Sequence, residues 1–281
     1  MLKGSQPTDG GHLVLTDEER RVLLRTEPGA KKWIRSYIGT DELLYDVPRF
    51  CLWLKGITPA ELNKLPLVKA RVGEVKKARL KSPTKSVRED AERPTLFTQD
   101  RQPSRNYLAV PEVSSEARRF IPIAFLTPEI VPSNKIQMVV DASLYHFGVM
   151  TSTMHMAWVR HVCGRLESRF SYSPSIYNNF PWPQPTAAQL RAIENAAQGV
   201  LDARAGYPDS SLADLYEPLA MPPELVKAHG TLDKTVDKAY RPQAFENDRI
   251  RIEYLFQLFE AQAVPLLPPA LSTPKGRKKR A

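Results

Sequence analysis

Residues Asp141 to Pro183 read DASLYHFGVMTSTMHMAWVRHVCGRLESRFSYSPSIYNNFPWP, and the fold is organised around them. Thr151, Ser152 and Thr153 are residue types whose side-chain oxygens cap the first free N–H groups of a helix. Behind them Met154, Trp158, Val162 and Leu166 recur every four residues, so one apolar stripe should run to Leu166. Arg160, Arg165 and Arg169 fall off that stripe and predict a cationic flank. Pro174 should end any helix, because it has no N–H and its ring clashes with the preceding turn. The run that follows, Tyr172, Tyr177, Phe180 and Trp182 with Pro181 and Pro183, is too rigid and apolar for an idle loop. It should clamp two halves of the molecule together.

Outward from this stretch, the chain is long enough, at 281 residues, for one or two cored domains. Its 42% hydrophobic and 25% charged residues are ordinary for a water-soluble protein. Two cysteines, Cys51 and Cys163, are too few for a disulfide framework and suggest a reducing cytoplasm. No run of about 18 apolar residues is present to span a membrane, and the N-terminus lacks a signal-peptide core. The net charge of +9 fits a polyanionic partner.

Met1 to Leu13 is rich in Gly, Pro and Asp and reads as loop. Thr16 with Asp17, Glu18 and Glu19 opens a short helix, since carboxylates suit the positive helix N-terminus; Val22 and Leu23 are its apolar positions and Pro28-Gly29 stops it. Trp33 to Leu44 reads as strand and turn, and Phe50 to Leu54 as a buried strand. Thr58 with Glu61 is a capping-box pattern. From Lys64 to Arg93 ten Lys or Arg stand against four acids, with Val68, Val72, Val75 and Leu80 at near-helical spacing. This amphipathic basic helix offers Lys69, Arg71, Lys76, Lys77, Arg79 and Lys81 as candidate phosphate contacts, which would orient DNA without reading its sequence. The same charges read equally well as a solvated face.

Arg93 to Val140 changes character. Leu96–Phe97, Tyr107–Val110, Phe120–Phe125 and Ile136–Val140 are short β-type runs divided by prolines, as in a small sheet with prominent loops. Two loops are polar: Asp100 to Asn106, and Ser133 to Lys135 running into Gln137. Gln102, Ser104, Arg105, Asn134, Lys135 and Gln137 are of types that match base edges in the major groove, or they are simply hairpin turns. After Pro183 the chain turns helical. Ala187, Leu190, Ile193, Ala197, Val200 and Leu201 form one face, Leu225, Val226, Leu232 and Val236 a second, and Ile252, Leu255, Phe256 and Phe259 a third. Pro274 to Ala281, PKGRKKRA, reads as a disordered basic tail.

Catalytic constellations are hard to find. A glycine-rich cofactor loop and an Asn/Asp-Pro-Pro-aromatic motif, needed for amino-group methylation, are both missing. Asn178-Asn179-Phe180-Pro181-Trp182 has a passing likeness to the second, but no Pro follows Asn, and a structural role is expected. His155 and His161 are six apart and point to different helix faces, so with Cys163 they lack metal-ligand spacing. Neither a Mg²⁺-binding carboxylate cluster nor a G-x-S-x-G elbow stands out.

HFGVMTSTMHMAWVRHVCGRLESRFSYS (His146–Ser173) running into YNNFPWP (Tyr177–Pro183) resembles the Type IIL (MmeI-like) restriction–modification enzymes. Those are single polypeptides that join nuclease, adenine methyltransferase and DNA-recognition parts. The resemblance continues through Leu201–His229 and reaches back to Gly4–Leu13, Lys32–Leu44 and Arg49–Leu54, so it covers nearly the whole chain. It implies an α+β architecture: a mixed α/β target-recognition domain followed by a small helical C-terminal domain. The implied division is a linker at 1–17 leaving an absent methyltransferase domain, recognition domain 18–177, helical domain 178–265 and basic tail 266–281. It also implies double-stranded DNA and a methyltransferase catalytic domain or subunit as partners. S-adenosylmethionine is expected only in that catalytic part, which would flip the target adenine out of the duplex. A basic scaffold without base readout is the competing expectation.

Overall fold

The computed structural model describes residues 1–263. The stretch expected to be a basic tail, with Pro265, Pro268 and Pro269 before it, lies outside the described residues. The architecture is mixed α and β. One antiparallel sheet has the order Leu2–Lys3, Ile136–Val140, Tyr107–Pro111, Ala124–Leu126. A second has the order Val14–Thr16, Arg49–Leu52, Ile34–Ile38, Val131–Pro132, its last pair parallel. The third pairs the hairpin Gly164–Leu166 and Arg169–Ser171 with Val113–Ser114.

Local signals decide several helix starts. Thr16 and Glu19 form a reciprocal capping box on the Asp17–Thr26 helix, and Thr58 and Glu61 do the same on Pro59–Asn63. Ser152 caps Thr153–Val162 through the His155 N–H. That helix ends at Val162, short of Leu166. Cys163 is extended, Gly164 to Leu166 pair antiparallel with Arg169 to Ser171, and Leu166 is 51% exposed. The expected stripe therefore buries only its first half, Met154 and Trp158. Pro174 corrects a second expectation: it stands at the start of the Pro174–Asn178 helix, where a missing N–H costs nothing. Phe97, expected in a strand, is a buried residue of an irregular segment instead.

The N-terminal residues are woven into the fold, unlike a linker. Leu2 and Lys3 pair with Met138 and Gln137, and Leu13 and Leu15 are fully buried. Asp9 accepts hydrogen bonds from the Leu13 and Val14 N–H groups. The helix Pro66–Leu80 lies over this region and buries Val68, Val72 and Val75. The stripe then continues to Arg79, which is 1% exposed, while Leu80 is 52% exposed. A step of four from Val75 keeps the same face, and a step of five leaves it.

Two apolar cores dominate. One lies beneath Pro66–Leu80 and includes Leu13, Leu15, Tyr37, Leu52, Val68, Val75 and Phe97. The larger one runs from the first sheet through the Leu144–Met150 and Thr153–Val162 helices into the three long C-terminal helices, Ala187–Ala205, Pro223–Tyr240 and Asp248–Ala263. At the crossing a Cβ on Gly148 would lie 3.0 Å from Ile193, 3.1 Å from Ala197 and 3.3 Å from Leu232. The aromatic run closes this core as a clamp. Phe180 packs on His155 and Trp182, Tyr177 packs on Trp182, and the Tyr145 and Tyr240 hydroxyls donate to the Pro183 and Pro181 carbonyls.

Candidate nucleic-acid interface

The parallel pairing of Tyr37 with Val131 and Ile38 with Pro132 sets two loop starts side by side. On one side Gly39 leads into the Thr40–Tyr45 helix; on the other Ser133 leads through Asn134 to Lys135. The Ser133 N–H donates to the Ile38 carbonyl at 2.8 Å, and the Thr40 hydroxyl donates to the Lys135 carbonyl at 3.1 Å. Gly39 leaves room here for two side chains, since a Cβ would lie 2.7 Å from the Glu42 carboxylate and 3.0 Å from the Ser133 hydroxyl, so Glu42 would have to shift. Across from these loops stand the strand Val113–Ser114, the turn after it, and Arg169 at the start of its hairpin strand. Between them is a cleft of about 320 Å³.

Arg49, Arg118, Lys135 and Arg169 all line this cleft. They come from four separate segments, so no local pattern announces them. Three of the four are ion-paired, Arg169 with Glu167 at 2.7 Å among them, and Asp41 and Glu42 line the cleft as well. Glu42 accepts from Arg49 at 3.2 Å and from the Gly39 N–H at 2.7 Å. Glu112 pairs with Lys3 at 2.7 Å and Lys135 at 3.1 Å. Burial raises the Glu112 pKa, but the two lysines outweigh burial and leave it below its ordinary value. The hairpin rises beside the cleft with Arg165, Glu167 and Arg169 exposed, and its turn residue Glu167 has a φ of +56°. Left-handed backbone is uncommon for such a residue and marks a tight, defined turn.

The residues singled out from sequence fare unequally. Lys135 and Asn134 sit at the cleft or its edge, Lys135 exposed and Asn134 half-buried. Gln137 is 1% exposed within its sheet and cannot meet a base edge; Ile136 and Met138 are buried too, so both faces of that strand are covered. Gln102 spends its amide on the Pro128 and Ile130 carbonyls at 2.6 and 3.0 Å. Ser104 and Arg105 are exposed, with Arg105 paired to Asp141 at 2.6 Å, and neither lines the cleft. The two polar loops are thus not one site.

Among the phosphate candidates, Arg79 is removed by burial. All five of its N–H donors are used, on the carbonyls of Pro7, Thr8, Asp90, Arg93 and Leu96 at 2.6 to 3.0 Å. Arg71 is held by the His12 and Val14 carbonyls at 2.8 and 3.1 Å and by Glu19 at 3.3 Å. Both tie the N-terminal segment to the helix. Lys69, Lys76, Lys77 and Lys81 are exposed; Lys76 pairs with Glu92 at 3.4 Å and Lys77 with Glu74 at 2.7 Å.

The histidines have structural partners. His155 shares a hydrogen bond with the Tyr172 hydroxyl at 2.9 Å, and burial lowers its pKa to about 3. The Tyr216 hydroxyl accepts from Arg204 at 2.9 Å and meets His229 Nε2 at 2.8 Å. Burial first, then the charges of Arg204 and Arg119, lower the His229 pKa to about 3; with its oxygen accepting from Arg204, the Tyr216 hydroxyl is left to donate to His229 Nε2. Among the described residues no group of His, Cys, Asp and Glu is placed to hold a metal ion, and no helix is long and apolar enough to cross a membrane.

Comparison with known proteins matches this architecture. The family described as "MmeI, target recognition domain" matches residues 1–184, and "MmeI, C-terminal domain" matches residues 185–267. DNA methyltransferase A of Bacillus subtilis (strain 168) is 35% identical over 258 residues, which are 92% of this chain and 29% of that protein. A solved chain of the Type IIL restriction-modification enzyme MmeI in complex with DNA is 44% identical, with a TM-score of 0.91, over 94% of this chain and 35% of that one. The chain therefore spans about a third of the length of these relatives. It belongs to the MmeI family, with the target recognition domain at residues 1–184 and the C-terminal domain after it.

Proposed function

We propose that this chain is the sequence-recognition module of an adenine-N6 DNA methyltransferase and restriction enzyme. It docks on double-stranded DNA through the cleft lined by Arg49, Arg118, Lys135 and Arg169, and sets which adenine is methylated. The observation that carries this reading is the convergence of four cations from distant segments on one cleft, in a recognition-domain family with a relative solved on DNA. S-adenosylmethionine binding and the methyl transfer belong, in this reading, to a catalytic part outside the chain. That part flips the adenine out of the stack, because its amino group is unreachable while paired. A cytoplasmic location belongs to the same proposal. Lys69, Lys76, Lys77 and Lys81 are outlying phosphate contacts, and Asn134 and Lys135 remain the base-reading candidates best placed for it.

Binding by the isolated chain should be strongly salt-dependent. Each neutralised phosphate contributes roughly −0.9 to the slope of log K against log salt, so the cleft cations alone give a slope of about −3 to −4 and the outlying lysines steepen it further. Removing two cleft cations with Arg49→Gln and Arg169→Gln should flatten that slope by about two units. Fluorescence anisotropy on a labelled duplex between low and moderate salt measures both. A slope near zero in the unmodified chain would refute docking through the cleft and leave a scaffold without DNA contact.

A further inference from the structure

Two buried polar groups in the cleft lack a protein partner, and both border the same space. Arg118 is 8% exposed, yet its Nε has no hydrogen-bond acceptor among the described residues. Ser114 is 3% exposed, and its Oγ is likewise unpartnered there. Three nearby carboxylates are committed to other cations, Glu42 to Arg49, Glu112 to Lys3 and Lys135, and Glu116 to Arg165 at 2.6 Å, while Asp41 also lines the cleft and is exposed to solvent. Elsewhere this protein satisfies its buried arginines. Arg79 has five carbonyl acceptors, and Arg204 bonds the Tyr216 hydroxyl and the Ile123 carbonyl. Arg118 is the exception, and it is the one that faces a cleft.

Position fixes this pair firmly. Ser114 is opposite Phe170 in the strand pairing with the hairpin, and the Arg118 N–H closes a turn on the Ser115 carbonyl at 3.3 Å. A guanidinium fork and a hydroxyl donor, recessed and held by backbone, match a group that protrudes, is anionic and presents several oxygens. We propose that Arg118 and Ser114 form a binding site for a phosphate group, filled by one backbone phosphate when duplex DNA docks. This deepens the recognition reading and rests on it for the source of the phosphate. The donor pair itself does not depend on that source.

Thermal unfolding of the whole chain in inorganic phosphate, against chloride at equal ionic strength, tests the site. The unmodified chain should show a saturable rise in Tm with phosphate. Arg118→Met should abolish that rise, and Ser114→Ala should weaken it without altering the net charge. In chloride, Arg118→Met should be at least as stable as the parent, because it removes a buried charge with no partner. A phosphate response that is absent, or unchanged in both variants, overturns the proposal. On duplex DNA, Arg118→Met should reduce the salt slope by about 0.9 for every sequence alike. A loss confined to one sequence would mean base readout and would also overturn it. If the phosphate response disappears with Arg118 but the unmodified chain binds no DNA, the site stands for free phosphate and the recognition reading fails.

Discussion

Residues 1–184 expressed without the remainder are expected to aggregate and to show no cooperative unfolding, although the family boundary falls at that point. The larger core ignores the boundary. Phe120 stacks on His229 with ring centroids 4.0 Å apart, and Trp158 packs on Phe256 and Phe259 at 5.6 and 5.8 Å. The Arg204 guanidinium lies 5.1 Å above the Phe147 ring. Asp233 accepts from both the N–H and the hydroxyl of Thr153 at 2.7 Å, so the start of the Thr153–Val162 helix is held from the helical half. Uncovering three buried aromatic rings costs roughly 2–3 kcal/mol each. That sum is comparable with the whole stability of a typical domain, about 5–15 kcal/mol. Size-exclusion chromatography and near-ultraviolet circular dichroism of 1–184 decide it. A monomer with a single sharp unfolding transition would contradict the shared core.

The second large effect is expected at Arg79. Arg79→Met removes five part-buried hydrogen bonds to carbonyls, at about 1 kcal/mol for each one lost, so a destabilisation of about 3–5 kcal/mol is expected. Arg79→Lys should recover little, because a point ammonium cannot serve five acceptors arranged around a planar fork. Urea unfolding of the whole chain gives the difference; a loss below about 1 kcal/mol would refute the structural role. Two buried arginines thus carry opposite expectations. Arg79 is satisfied, and its removal should cost stability; Arg118 is unsatisfied, and its removal should not.

Legibility followed the range of the interactions. The capping boxes at Thr16 and Thr58 were readable, because a Thr and a Glu three residues on satisfy each other locally. The start of the central helix at Ser152 was readable for the same reason, and its end was not. Cys163 to Ser171 leaves the helix to pair with Val113 and Ser114, some fifty positions away, and no spacing within the stretch encodes that. Arg79 could have been found. The apolar series Val68, Val72, Val75 continues to 79 in strict helical register, and an arginine there is either snorkelling or buried with partners. Residue type alone sent it to the solvated flank. The resemblance supplied the domain order, yet the cleft stayed hidden, because Arg49, Arg118, Lys135 and Arg169 share no local motif. Gln137 misled for the opposite reason: a polar residue after a turn looks exposed unless both faces of its strand are known to be covered.

The central claim, that this chain decides which adenine is methylated, is tested most directly by a methylome. The chain is co-expressed with a family catalytic part that lacks its own recognition domain, and methylated adenines are mapped across the host genome. One defined motif is expected. Lys135→Ala should relax or change that motif at a single position, since one side chain reading one base is worth roughly 1–3 kcal/mol, about five- to a hundredfold in preference. Arg105→Ala, outside the cleft, should leave the motif as it was. Absence of any motif dependent on this chain, or a motif changed by Arg105→Ala and untouched by Lys135→Ala, would contradict the account.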